Sequence, residues 1–137
     1  MATTASDPSL GIDAHSGASL TGWSHVLQSL RDMFLTRFGS RLMREWYGSF
    51  VPEALGRNIT QAEMLPVIAS ITSAIEQWEP RFLVVDVKVD ASSARTGALV
   101  ITVRGQFRPR ALLGDMTVEG ERALVVDMGT SDGMSVR

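Results

Sequence analysis

This sequence predicts an α+β domain, with N-terminal amphipathic helices packed on a small antiparallel C-terminal sheet. Three observations lead there. Two stretches carry apolar residues at helical spacing, each with its own start and stop signals. At Phe82 the apolar period switches from about 3.6 to two. The order, helices first and strands afterwards, is that of an α+β fold rather than of alternating parallel units.

The first helical stripe is Trp23, Val26, Leu27, Leu30, Met33, Phe34 and Phe38, with Gln28, Arg31 and Asp32 off it. Thr21 or Ser24 can cap its start, and Gly39 is placed to end it. Its apolar face reads as core. The next segment, Gly39-Ser40-Arg41-Leu42-Met43-Arg44-Glu45-Trp46-Tyr47-Gly48, sets Arg and aromatic residues between two glycines and predicts a compact turn with a short helical piece. It fits a solvated loop that packs two aromatics on the core, and equally an Arg- and aromatic-rich interaction hot spot.

Thr60-Gln61-Ala62-Glu63 has the form of a capping box, and Met64, Val67, Ile68, Ile71, Ala74, Ile75 and Trp78 follow at helical spacing. Pro66 removes a backbone hydrogen bond past the first turn, so the helix is kinked there or becomes regular only near Leu65. Pro80 ends it.

From Phe82 to Asp90, Leu83, Val85, Val87 and Val89 face one way and Asp86, Lys88 and Asp90 the other, as in a half-buried strand. Ser92, Ser93, Arg95 and Gly97 form a turn. Leu99, Ile101, Val103 and Phe107 alternate with polar residues in a second strand, closed by Pro109. One or two further strands fall within Met116–Met128. The expected organisation is a flexible or partner-ordered arm over residues 1–20, a single domain over 21–128, and a frayed tail over 129–137.

Composition removes several function classes. With 45% hydrophobic and 20% charged residues, the 137-residue chain has enough apolar content for a core, which excludes whole-chain disorder. A net charge of −2 gives no bulk attraction to nucleic acid or to an anionic membrane. Twelve of the thirteen basic residues are Arg, which suits bidentate interface contacts and is also what GC-rich coding produces. Without cysteine there is no disulfide or thiolate site, and His15 and His25 alone do not make a metal centre. No apolar run approaches the roughly 20 residues of a membrane span. The N-terminus lacks the basic start and apolar core of a signal peptide, so cytoplasmic synthesis is expected.

Catalytic patterns are equally sparse. Ser24-His25 is a contiguous pair whose side chains diverge on a helix, and neither a nucleophile elbow nor a phosphate loop is present. Glu45, Glu53 and Glu79 lie among arginines, which favours ionised carboxylates over the proton-holding acid of a glycosidase. The expectation is a non-enzyme without cofactor or metal.

The junction of second helix and first strand is Trp78-Glu79-Pro80-Arg81. A proline there fixes the exit angle, with Glu79 and Arg81 expected on either side of a rigid corner. An ordinary surface ion pair beside a helix stop would contribute about 0–1 kcal/mol. A preorganised ionic prong for a partner's helices would matter more.

Taken together, these pieces resemble the small baseplate wedge family of contractile-tailed phages, which also includes a type VI secretion baseplate subunit. The resemblance rests on Gly22-Trp23-Ser24-His25-Val26-Leu27-Gln28-Ser29-Leu30, on the Gly39–Gly48 segment and on Trp78–Arg81, and covers about residues 10 to 108. It implies a virion subunit of the tail baseplate, assembled in the host cytoplasm. Implied partners are the larger wedge proteins, the tail sheath protein and tube or hub proteins, with no nucleic acid and no membrane. By resemblance, Glu79, Pro80 and Arg81 contact the helical bundle of the larger wedge proteins. Trp78, Gly39, Ser40, Arg41, Arg44 and Tyr47 are placed in the same partner-binding set. Strand addition to the sheath is assigned to the strands carrying Leu99, Ile101 and Val103, and Leu124 and Val126. Two other readings are a regulatory binding module of the anti-adaptor type, which shares this fold, and a cell-wall glycosidase.

Overall fold

The computed structural model describes residues 10–54, 60–90, 99–130 and 133–136. Its elements are β1 (Gly11–Ile12), β2 (Ser19–Leu20), α1 (Gly22–Leu35), α2 (Val51–Ala54), α3 (Gln61–Trp78), β3 (Phe82–Asp90), β4 (Leu99–Phe107), β5 (Gly120–Thr130) and β6 (Gly133–Val136). The fold is α+β. The sheet is antiparallel in the order β3-β4-β5-β6, and β1 and β2 form a separate hairpin. Val26, Leu30 and Phe34 of α1 and Ile71 and Ile75 of α3 meet Ile101, Val103, Leu124 and Val126 in one core.

α1 stops at Leu35 and does not reach Gly39. Thr36 turns extended, and its hydroxyl donates to the carbonyl of Asp32 at 2.6 Å, so a β-branched residue ends the helix by bonding back onto its last turn. Phe38 therefore leaves the helical stripe and packs edge-on against Phe50, ring centroids 4.8 Å apart. Thr21 occupies the N-cap position without a capping side-chain bond, and Ser24 lies inside the helix.

Residues 39–48 fold as successive turns without the expected helical piece, and α2 adds one turn that the sequence pattern does not announce. The capping box of α3 is present, and the helix is regular from Gln61 straight through Pro66. The carbonyl left without its donor belongs to Ala62, which is exposed to solvent.

β3 departs from simple alternation. The register against β4 slips between Val84 and Asp86, which leaves Val85 as the extra residue of a bulge and 62% exposed. Phe82 and Val84 face the core before the bulge, and Val87 and Val89 face it afterwards. Leu83 and Val85 are thus not the inward residues that a strict period of two predicts. On β4, Gly105 leaves room for Phe82, because a Cβ there would collide with the Leu83 carbonyl and the Phe82 ring.

The described parts of the two terminal segments, residues 10–20 and 129–130 with 133–136, hold more regular structure than expected. β1 and β2 give residues within 10–20 a fixed hairpin in place of an arm, and Ala14 and Ile12 are tied to Gln28 of α1 at 3.0 and 2.9 Å. β5 continues to Thr130, and β6 pairs with it from Val126 onward, so residues 129–136 include strand where a frayed tail was expected. The Ser92–Gly97 turn lies outside the described residues.

The edge assignment also changes. β4 is flanked by β3 and β5, so Leu99, Ile101 and Val103 belong to an interior strand with no free edge to add to. Leu124 and Val126 are buried core residues, and Val126 already pairs with Val136. Among the described residues, the unpaired sides of the sheet are the outer sides of β3 and β6 and the Gly120–Val125 stretch of β5.

Candidate docking site

The chain turns from α3 into β3 through Glu79-Pro80-Arg81-Phe82. Glu79 caps the helix, its N–H donating to the Ile75 carbonyl at 2.8 Å. Its carbonyl then accepts from the Phe82 N–H at 3.1 Å, which makes a β-turn with proline at the position that suits its fixed φ. Such a turn brings the first and third side chains together. Arg81 Nε and Nη2 donate to Glu79 Oε1 and Oε2 at 2.7 and 2.8 Å, a bidentate pair.

The pair is internal. Glu79 is 2% exposed and Arg81 4% exposed. The two charges do not project on either side of the corner, and the pair is not a surface ion pair either. Each side chain neutralises the other in a site covered by α1 and the sheet. Arg81 Nη1 also donates to His25 Nδ1 at 3.1 Å, since a guanidinium has no acceptor to offer. Gly11 of the hairpin sits on the far side of that imidazole: a Cβ at this position would come within 2.5 Å of Nε2. The Arg81 carbonyl accepts from the Arg108 N–H at 2.7 Å, and Trp23 meets Phe82 at a tilt and Phe107 edge-on, with ring centroids 5.3 and 5.7 Å apart. Hairpin, α1, corner and sheet are clamped at one point. Only Pro80 of the tripeptide is exposed.

The Gly39–Gly48 segment reaches the same place. Gly39 donates to the Glu45 carbonyl at 2.7 Å, and Ser40 Oγ to the Arg37 carbonyl at 2.7 Å, which closes the loop on itself. Arg41 Nη2 pairs with Asp32 Oδ2 at 2.6 Å, and the Tyr47 hydroxyl donates to the same oxygen at 3.0 Å. The Arg41 guanidinium lies over the Tyr47 ring at 4.4 Å, and that ring meets Trp78 edge-on at 5.1 Å. Burial, followed by the charge of Asp32, pushes the Tyr47 hydroxyl up to about 12. Gly48 is required by both space and backbone: its φ is +136°, and a Cβ would strike the Thr36 carbonyl.

Tyr47 and Trp78 thus join two motifs that lie far apart in the chain. Of the expected partner-binding residues, Tyr47 touches both Trp78 and Arg41, while Gly39 and Ser40 shape the loop and Arg44 is exposed. Residues overlooked by motif reading are Leu42 and Met43, 95% and 93% exposed, and the exposed Trp46. Their signal is negative: a Leu-Met pair between arginines that belongs to no apolar period.

Both oxygens of Glu79 are occupied by guanidinium donors, and the residue is buried. No group of three His, Asp or Glu side chains suited to a metal occurs among the described residues. Nor is any helix among them long and apolar enough to cross a membrane.

The domain is a small α+β module with a clamped, charge-neutral corner. The family model described as "Baseplate wedge protein gp25" matches residues 20–111, and the chain belongs to that family. It is 32% identical over 99 residues to baseplate protein W of Escherichia phage P2, across 71% of this chain and 83% of the phage protein. A chain of the postcontracted pyocin R2 baseplate is 34% identical and superposes with a TM-score of 0.55, covering 60% of this chain and 83% of its own. A Geobacter sulfurreducens protein described as a candidate tail lysozyme superposes at 0.61, over 77% of this chain and 88% of its own; at 21% identity the likeness is one of fold.

Proposed function

We propose that this chain is a structural, non-catalytic subunit of the baseplate wedge of a contractile phage tail, docking on helices of the larger wedge proteins and joining the baseplate to the first sheath ring. The observation that carries the docking is the meeting of the two motif segments. Tyr47 and Trp78 hold the Gly39–Gly48 loop against a corner whose Glu79–Arg81 pair is already satisfied internally. A buried pair does not reach out to a partner. It makes the corner rigid, and the contact surface is then Pro80 with Leu42, Met43, Arg44 and Trp46. Arg and aromatic residues around exposed apolar tips are the composition of interface hot spots.

Strand addition by the sheath is best served by the outer side of β3, where the bulge at Val85 and the charges of Lys88 and Asp90 guard the edge until a partner arrives. Sheath contact there places the subunit in the virion tail.

The test is co-expression with the larger wedge protein of the same tail, followed by affinity capture. Wild type is expected to retain that protein, while Leu42→Asp/Met43→Asp, which alters no buried group, loses it. Capture unchanged by the double substitution sinks the loop's role, and failure of the wild type to capture the protein sinks the wedge reading. A muralytic assay is expected to show no hydrolysis above background.

A further inference from the structure

The connection from β4 to β5 carries a second apolar surface. Leu112, Leu113, Met116 and Val118 are all exposed within one short loop, Leu113 by 68%. Leu112 and Met116 are close to half-covered and Val118 rather more; none of the four packs in the core. A solvated loop of this kind is ordinarily polar and loose, and this one is neither. Ala111 is buried at its base, and a 3₁₀ turn over Ala111–Leu113 closes through Gly114, whose backbone is left-handed. Arg110 pairs with Asp115 at 2.8 Å, and Asp115 Oδ1 accepts from the Thr117 N–H at 3.0 Å. Glu119 returns the chain to the sheet by donating to the Phe107 carbonyl at 2.9 Å. The loop is rigid, and its apolar side chains face water.

Its position decides what it meets. The loop leaves the sheet at Arg108, whose N–H is bonded to the carbonyl of Arg81. β3 and β4 are in register at Phe82 and Phe107, so the loop springs from the same end of the sheet as the corner. Two exposed apolar loops are therefore tied to the corner: Leu42 and Met43 through Tyr47 and Trp78, and Leu112, Leu113 and Met116 through Arg108. A stable protein–protein interface buries about 800 Å² per partner. The tip of one loop and a proline fall short of that, and the second loop, at the same end of the sheet, supplies further exposed apolar surface. Rigid apolar groups also lose little freedom on binding, which favours their use as anchors. The family match ends at residue 111, so these side chains lie beyond the part of the chain that the family model describes.

We infer that the Leu112–Val118 loop is a second anchor for the same partner, seating Leu112, Leu113 and Met116 against an apolar face of the helices of the larger wedge protein that dock on the Glu79–Arg81 corner. This rests on the docking reading above.

The chain has no cysteine, so single cysteines carrying a photoreactive maleimide report contacts without background. Three variants of the full chain are co-assembled with the larger wedge protein: Leu113→Cys, Met43→Cys, and Lys88→Cys on the far part of β3. The expected result is cross-linking to the larger wedge protein from positions 113 and 43, and none from 88. Cross-linking from 43 without 113 overturns the second anchor and leaves the docking reading standing. Cross-linking from 113 only to sheath, or only to another copy of this chain, overturns it as well. Failure from both 43 and 113 overturns the docking reading and the anchor together. As an independent check, Leu112→Asp/Leu113→Asp, which changes exposed side chains alone, is expected to weaken capture about tenfold or more, the equivalent of one hot-spot contact. Unchanged capture overturns the anchor.

Discussion

Two arginine–carboxylate pairs of nearly the same length sit in this domain, Arg81–Glu79 at 2.7 Å and Arg41–Asp32 at 2.6 Å. The first is almost wholly buried, and the second is about half exposed on both partners. Distance alone therefore says little about what each pair does. In water the Arg41 pair is screened and acts mainly to orient a loop. Out of water the Arg81 pair is a structural commitment, because either partner left alone would be an uncompensated charge.

The sharpest way to break this contrast is to remove one buried partner. Glu79→Ala or Arg81→Ala is expected to cost about 3–5 kcal/mol in urea unfolding. Replacing both together, as Glu79→Leu/Arg81→Met, is expected to recover most of that loss. A cost near that of a surface pair would mean that the corner is open to water in solution. Next in size is Gly48→Ala, where a positive φ and a blocked Cβ position predict a loss of about 1–3 kcal/mol. Deleting the Tyr47 hydroxyl with Tyr47→Phe is expected to cost about 1 kcal/mol, one net hydrogen bond. The smallest effect belongs to Arg41→Ala, below about 1 kcal/mol and fading as salt is added. If Arg41→Ala costs as much as Arg81→Ala, burial is not what separates the two pairs.

Tyr47 gives the contrast a pH signature, and it is the only tyrosine in the chain. Its hydroxyl titrates near 10 in the unfolded chain and is raised to about 12 in the folded one. Between those values the folded state holds the extra proton. The stability from this group is thus complete below pH 10 and is lost as pH rises toward 12. Ultraviolet titration of tyrosinate should show a midpoint well above 10 in wild type, moving back toward 10 in Asp32→Asn.

Much of the fold was legible in the sequence because burial leaves a period. The α1 stripe, the capping box of Thr60 and Glu63, and the alternation through Ile101 and Val103 all appear where their spacing predicts. The bulge at Val85 was hidden because Phe82 to Val85 are all apolar, so a slip in phase there leaves no polar residue out of place. Thr36 ended a helix that Gly39 was expected to end, since a single hydroxyl bonding backwards carries no sequence signature distinct from an ordinary threonine. At the corner the motif was visible, but the direction of its side chains was not. Whether Glu79 and Arg81 point outward or toward each other depends on the turn that Pro80 makes and on what closes over it. Edge and interior strands likewise look alike until the strand order is known, which is how β4 came to be assigned an edge.

The contact between Arg81 and His25 spans 56 positions of the chain, and Gly11 of the hairpin then seats on the same imidazole. Closing a loop of that length costs entropy that short-range helix formation does not, so the corner is completed only after α1, α3 and the sheet have found one another. A partially folded copy would still carry helices, but it would present no finished surface to bind. If a partner docks on the corner as proposed, recognition would depend on whether the subunit has finished folding.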